Sequence, residues 1–152
     1  MSFLPVEPLE TGNISVVGRK FGIPVVLIST SGTASANYYP AVIEASLSRV
    51  PLFILSADRP GSLVGTGANQ TINQENLYGD YVRYFADTGL PEKAFGNLQN
   101  LLESGWKHAA GSERKLPPGP VHLNFPFIKL SFSLVVLRRY VALVLYLLLK
   151  ES

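Results

Sequence analysis

A loop of polar side chains follows an apolar run, and its residue types suit the binding of an anion. The stretch SADRPGSLVGTGANQTINQ covers Ser56 to Gln74. Arg59 is a fixed cation that can hold a carboxylate or phosphate in a bidentate grip. Asn69 and Gln70 each offer a donor and an acceptor, which suit hydroxyl and carboxylate groups. The residues alone leave a second interpretation open, in which Asp58 and Arg59 form a local ion pair and the amides satisfy the loop backbone.

The elements that must position this loop alternate between strand-like and helix-like patterns. Short runs of apolar and β-branched residues are typical of strands that are covered on both faces. These runs are Pro24–Ser29, Pro51–Leu55, Tyr81–Phe85 and Val121–Phe125. Helical spacing predicts helices within Ala34–Arg49 and Pro91–Ala110. The alternation predicts an α/β fold with an open, mainly parallel sheet and helices on both faces. Loops at the carboxyl ends of such strands form the ligand crevice.

Composition excludes several classes of function. The chain has 152 residues, a net charge of +2 and no basic run, so we expect no nucleic-acid partner. It has no cysteine, which excludes a disulfide framework and a thiolate metal site. Neither of the two histidines lies near a second plausible ligand, so we expect no histidine-based metal site. The first ten residues lack a signal-peptide pattern, and we expect a cytoplasmic location.

Three motifs in one order and spacing carry a resemblance to a known family. They are TSGTA at Thr30–Ala34, ADRP at Ala57–Pro60 and GANQTINQ at Gly67–Gln74, followed later by GPVHLNFPF. Over roughly residues 22–127 the chain resembles the 2-succinyl-5-enolpyruvyl-6-hydroxy-3-cyclohexene-1-carboxylate synthases. These are thiamine-diphosphate carboligases of menaquinone biosynthesis. The matched part corresponds to their N-terminal pyrimidine-binding domain, which implies a domain over 24–127 after a divergent segment, 1–23.

The resemblance implies a reaction and a pocket. Such enzymes decarboxylate 2-oxoglutarate on thiamine diphosphate and add the succinyl unit to isochorismate. In the family, the ADRP arginine and the GANQ amides help to form the substrate pocket, and these roles carry over to Arg59, Asn69 and Gln70. Where the family has a second proline and an arginine after ADRP, this chain has Gly61-Ser62-Leu63-Val64. That loss of charge is expected to weaken substrate binding.

A catalytic glutamate is harder to place. In the family it hydrogen-bonds the aminopyrimidine ring of the cofactor and promotes ylide formation. Ungapped extension of the family spacing leads to Glu7, which we take as the catalytic and cofactor-binding acid, with Glu10 as a competitor. The family has Asp-Glu-Arg there, whereas this chain has Val6-Glu7-Pro8. The alternative interpretation is that both glutamates are solvated residues near the end of the chain and have no catalytic role.

The resemblance also implies what this chain cannot supply. The Gly-Asp-Gly…Asn motif that holds Mg²⁺ and the diphosphate does not occur in it. We therefore expect a truncated enzyme that is inactive alone and whose complete form is a homo-oligomer. The alternative is a non-catalytic α/β interaction domain. A third candidate, an acetolactate synthase-like enzyme, is disfavoured by the GANQ motif.

The end of the sequence departs from the family at Ile128. Within this tail, residues 128–152, the stretch 130–149 is almost wholly apolar apart from Arg138 and Arg139 at its centre. One interpretation is a membrane-spanning helix, although each central arginine costs about 2.5–3.5 kcal/mol on insertion scales. A buried helix is a second interpretation. We favour a third, in which a frameshift or gene-model error replaced the rest of the enzyme; contact of the tail with a membrane is not favoured.

Overall fold

A four-stranded parallel sheet forms the centre of the fold. The computed structural model describes residues 25–89, 97–112 and 116–127. The strands are β1 (Val25–Ser29), β2 (Leu52–Asp58), β3 (Tyr84–Asp87) and β4 (Pro120–Pro126). Their order in the sheet is β1-β2-β4-β3, and every neighbouring pair is parallel. The predicted fold class is therefore confirmed.

Helices cover both faces of this sheet. They are α1 (Thr33–Ala36), α2 (Tyr39–Leu47) and α3 (Leu98–Ala109). Successive side chains of a strand point to opposite faces, so β2 directs Leu52 and Ile54 towards α2 and directs Leu55 into the cluster around α3. β2 and β4 are buried along their full lengths, which explains the apolar run Leu52–Leu55. The polar residues within the two strands, Ser56, Asp58, His122 and Asn124, are buried as well.

The apolar residues of helix α3 recur at helical spacing, and they pack against the sheet. Leu98 and Leu102 are one helical turn apart and lie in one cluster with Leu123 of β4. Both leucines are at most 3% exposed, so replacing Leu102 with alanine is expected to cost about 2–5 kcal/mol of stability. Gly105, on the same helix, permits close packing, because a Cβ there would lie 3.3 Å from the ring of Phe53.

The structure corrects the bounds of four predicted elements. The second strand ends at Asp58 rather than Leu55, so the first three residues of the predicted loop belong to β2. The predicted helix Ala34–Arg49 is two helices, because Pro40 in the first turn of α2 has no N–H with which to continue α1. The third strand begins at Tyr84 rather than Tyr81, because Gly79–Tyr81 forms a 3₁₀ turn. The second long helix begins at Leu98, and residues 90–96 lie outside the described ranges.

The predictions for the two ends of the chain also concern residues outside the described ranges. These are the divergent segment 1–23, including Glu7 and Glu10, and the apolar tail 128–152. Within the three described ranges, no helix has the length and hydropathy needed to cross a membrane.

Candidate functional site

Polar side chains gather on one face of the sheet near its carboxyl edge. Ser56 and Asp58 share a face of β2 with Ile54, because they are two and four residues further along the strand. The parallel register places Asn124 of β4 opposite Ser56 and also opposite Asp87 of β3. Strand alternation and register together therefore bring polar groups from three strands onto the α2 face.

Asn124 is the centre of these contacts. Its Nδ2 donates to Asp58 Oδ2 at 2.8 Å and to Asp87 Oδ2 at 3.0 Å. Its Oδ1 accepts from Ser56 Oγ at 2.8 Å and from Gln74 Nε2 at 2.9 Å. One buried side chain thus links β2, β3, β4 and the loop. We call this set of hydrogen-bonded residues the Asn124 network; it comprises Gly32, Ser56, Asp58, Gln74, Asp87, His122 and Asn124.

Gln74 connects the network to two further elements. Its Nε2 also donates to the carbonyl oxygen of Ala57 at 3.1 Å, and its Oε1 accepts from the backbone N–H of Gly32 at 2.7 Å. The side chain is 1% exposed, so these hydrogen bonds compensate for the loss of water around a buried amide. The loop after β1 and the loop after β2 are thereby tied to each other.

Counting donors fixes the protonation of His122. Because Asn124 Oδ1 has no hydrogen, Ser56 must use its only hydroxyl hydrogen for that contact. The Ser56 oxygen therefore accepts from His122 Nε2, which lies 2.7 Å away. His122 carries its proton on Nε2, and burial lowers its pKa to about 3. Its Nδ1 is buried and has no hydrogen-bond partner within the described ranges, and the ring packs beside those of Tyr78 and Phe85.

Both carboxylate oxygens of Asp58 accept hydrogen bonds from amide N–H groups. Besides Asn124, it accepts a 2.7 Å hydrogen bond from the backbone N–H of Arg59. Burial raises the pKa of Asp58, the two hydrogen bonds oppose that rise, and the charge of Asp87 adds to it. The contact between Asp58 and Arg59 is thus a backbone contact, and the ion-pair interpretation gives way to an aspartate that orients the start of the loop.

The three sequence motifs meet at this edge. Gly32 has a φ of +81°, and a Cβ at that position would be 2.9 Å from the carbonyl carbon and oxygen of Gln70. Only glycine fits such an approach without movement of one backbone. The TSGTA motif therefore touches the GANQTINQ motif through Gly32, and Gln74 joins the latter to Ala57 of the ADRP motif.

The predicted binding residues differ in their surroundings. Arg59 is half-buried, and its Nε is a buried atom that has no hydrogen-bond partner in the part of the chain that the structure describes. Asn69 and Gln70 are exposed, and Gln70 has a φ of +54°. The same edge holds Ser31, whose buried Oγ also lacks a partner. Arg59 follows the carboxyl end of β2, and Asn69 and Gln70 lie in the loop that continues from it. A guanidinium and two exposed amides are groups that can bind an anionic ligand.

Two groups bind the cofactor in such enzymes, a metal site and an acid that faces the pyrimidine ring. Among the described residues, no group of three or more His, Asp or Glu side chains could hold a metal ion. The acid assigned to the pyrimidine ring, Glu7, lies outside the described residues.

Sequence reasoning missed the support beneath the loop. It did not single out Gln74, Asn124 or Asp87, and it considered His122 only as an unlikely metal ligand. One signal was available, since polar His122 and Asn124 interrupt the run Val121–Phe125, and polar Ser56 and Asp58 directly follow the run Pro51–Leu55. Polar residues in such positions need partners, which predicts a polar network without identifying its members.

Comparison with known proteins agrees with this geometry. Residues 15–77 match the family described as thiamine pyrophosphate enzyme, N-terminal TPP binding domain. Curated relatives carry the name 2-succinyl-5-enolpyruvyl-6-hydroxy-3-cyclohexene-1-carboxylate synthase. The relative from Halobacterium salinarum is 50% identical over 112 residues, which is 74% of this chain and 19% of the relative. The relative from Chlorobium phaeobacteroides is 53% identical over 109 residues, 72% of this chain and 18% of the relative. The relative from Thermobifida fusca is 51% identical over 107 residues, 68% of this chain and 19% of the relative.

The chain spans about a fifth of the length of the curated relatives that it matches. The matches, the parallel α/β sheet and the joined motifs agree on a partial N-terminal domain. Over the part that the matches cover, the chain is similar to the N-terminal domain of thiamine pyrophosphate enzymes, and its curated relatives carry the name 2-succinyl-5-enolpyruvyl-6-hydroxy-3-cyclohexene-1-carboxylate synthase.

Proposed function

We propose that this chain forms one wall of the active site of a thiamine-diphosphate-dependent carboligase. The complete enzyme would decarboxylate 2-oxoglutarate and add the succinyl unit to isochorismate, as the sequence resemblance implies. The chain lacks a diphosphate-binding motif, so we propose that it is inactive alone. Its domain would extend over 24–127.

The observation that carries this proposal is the meeting of the three motifs at one edge. Gly32 lies against Gln70, and Gln74 links Gly32 to Ala57, two residues before Arg59. The edge is formed by the carboxyl ends of parallel strands, where open α/β sheets bind ligands. Arg59 adds a cation with an unpaired Nε at that place.

The roles proposed for the residues follow from their chemistry. Both substrates are carboxylates, so Arg59 would hold a carboxylate through charged hydrogen bonds. The exposed amides of Asn69 and Gln70 would donate to carboxylate and accept from hydroxyl groups. These side chains would bind and orient the substrate.

The cofactor groups would come largely from elsewhere. Thiamine diphosphate, when bound, supplies the electron sink for decarboxylation. We propose that Mg²⁺ and the diphosphate are held by a separate diphosphate domain and that Glu7 faces the pyrimidine ring. We propose that the complete enzyme is a homo-oligomer, with the two domains of each site on different subunits. We also propose a cytoplasmic location, because a chain without cysteine is compatible with a reducing compartment.

Reconstitution tests the proposal. The full chain is assayed for 2-oxoglutarate decarboxylation alone, and then mixed with a polypeptide that carries the diphosphate domain of a relative. Activity in the mixture only would support the carboligase function. A folded chain that gives no activity in either assay would contradict it and favour the non-catalytic interaction domain.

A further inference from the structure

We propose that Gln74 is a positioning residue that fixes the substrate-facing part of the loop against the loop after β1. The segment in question contains Asn69 and Gln70, which the proposed function places in the substrate pocket. The inference about substrate therefore rests on the proposed function, whereas the positioning itself rests on the hydrogen bonds alone.

Three elements converge on the Gln74 side chain. Its Oε1 accepts from Gly32 after β1, and its Nε2 donates to Ala57 in β2 and to Asn124 in β4. The distances are 2.7, 3.1 and 2.9 Å, and the side chain is 1% exposed. A buried amide that holds three elements at once leaves its own loop little freedom to move relative to the sheet.

The amide of Gln74 has only one satisfactory orientation. Asn124 must direct its Nδ2 towards the carboxylates of Asp58 and Asp87, which accept hydrogen bonds and cannot donate them when ionised. Asn124 therefore presents Oδ1 to Gln74, and Gln74 must answer with Nε2. Its Oε1 is then directed to the N–H of Gly32. Two aspartates in the sheet thus determine which atom of Gln74 meets the loop after β1.

A second hydrogen bond holds the chain four residues after Gln74, at Tyr78. The Tyr78 hydroxyl donates to the carbonyl oxygen of Ser35 at 2.7 Å, and the Tyr78 ring is fully buried against His122. Residues 74–78 are therefore attached at both ends. Asn69 and Gln70 precede this attached stretch and remain exposed, and the backbone of Gln70 rests on Gly32. Position 74 is thus the first buried anchor after the two amides.

Amide hydrogen exchange in the full chain tests the tie directly. The Gly32 N–H of the unmodified chain is expected to be protected, although it lies in a loop. Gln74→Met keeps a similar volume but removes the acceptor, so Gly32 exchange is expected to rise about tenfold or more, the effect of losing one hydrogen bond. Gln99→Met makes the same substitution at an exposed position of α3; it is the matched control and is expected to leave Gly32 protected.

The strand amides of Leu55 and Leu123 report whether each variant remains folded. An unprotected Gly32 amide in the unmodified chain would overturn the proposal without any variant. Unchanged Gly32 exchange in Gln74→Met, with both strand amides protected, would overturn it equally. Because exchange needs no catalysis, these outcomes do not depend on the proposed function.

Kinetics in the reconstituted enzyme separate positioning from mere support of the fold. Gln74→Met is expected to raise the KM for isochorismate with little change in kcat, because binding is lost while the reacting groups stay in place. A raised KM in Arg59→Ala together with an unchanged KM in Gln74→Met would overturn the positioning role and leave the proposed function standing. If both variants leave KM unchanged, the pocket itself is wrong, and the role of Gln74 towards substrate fails with it.

Discussion

The backbone of Gln70 lies so close to Gly32 that a Cβ on residue 32 would be 2.9 Å from the Gln70 carbonyl carbon and oxygen. Real Cβ contacts do not occur at that distance, and both partners are backbone atoms of loops that the Gln74 side chain ties together. The two loops can therefore approach this closely only because residue 32 is a glycine and has no Cβ.

This contact predicts the effect of a single methyl group. Gly32→Ala is expected to lower the free energy of unfolding by about 1–3 kcal/mol more than Gly65→Ala. Both glycines have a φ near +80°, but nothing lies within 4 Å of a Cβ at Gly65. The control therefore carries the backbone cost without the clash. Urea unfolding of the two variants measures the difference, and equal costs would show that the loops are not in close contact.

His122 predicts a loss of stability in acid. Its pKa is about 3 in the folded chain because of burial, against about 6.5 in an unfolded chain. Between these values the unfolded state binds a proton that the folded state does not. The contribution is therefore fully present above pH 6.5 and is lost as pH falls towards 3, at a limiting slope of about 1.4 kcal/mol per pH unit.

The matched variant for this prediction is His122→Gln, whose amide can still donate to Ser56 but does not titrate. Urea unfolding between pH 7 and pH 4 is expected to show a shallower fall in stability for this variant than for the unmodified chain. Parallel pH profiles would mean that His122 does not stay neutral in the folded state.

Asn124→Asp is expected to be among the most damaging small changes. It removes the donor to two carboxylates and places a third carboxylate beside Asp58 and Asp87. We expect the free energy of unfolding at pH 7 to fall by more than about 3 kcal/mol, since buried charged groups are left unpaired. Protonation relieves the repulsion, so the deficit relative to the unmodified chain should shrink as pH falls from 7 to 5.

Asn100→Asp provides the control, because it makes the same substitution at an exposed position of α3. Chemical unfolding at both pH values gives the comparison. If both variants lower the free energy of unfolding by a similar, small amount, the Asn124 network does not contribute to stability.

Arg59→Ala separates binding from stability. In the reconstituted enzyme we expect kcat/KM for isochorismate to fall by the equivalent of about 1.5–3 kcal/mol, the contribution of a charged hydrogen bond. Stability should change little, because Arg59 Nε has no hydrogen-bond partner among the described residues. Steady-state kinetics and urea unfolding report the two quantities.

Arg59→Lys is the informative companion variant, since it keeps the charge but loses the planar, two-pronged donor. It is expected to recover only part of the activity lost in Arg59→Ala. Asn69→Ala and Gln70→Ala should act in the same direction more weakly, because neutral hydrogen bonds contribute less. Unchanged kinetics in all four variants would return the loop to a purely structural role.

The sequence alone determined the class of fold and the place of the loop. Strand runs such as Pro51–Leu55 can be recognised because residues buried on both faces of a strand are mostly apolar. The loop after β2 could be assigned to a ligand edge because the carboxyl ends of parallel strands share one edge. Local bounds were less accurate where a proline or a 3₁₀ turn intervened, as at Pro40 and at Gly79–Tyr81.

Only the tertiary structure decided what holds that loop in place. Gln74 and Asn124 are 50 residues apart, and their contact depends on β4 entering the sheet between β2 and β3. No local pattern encodes that order, because strand order is set by long-range packing rather than by the propensity of any segment. The tautomer of His122 and the single orientation of Gln74 follow from the same juxtaposition, since a hydrogen-bond direction is fixed only when all its partners are known.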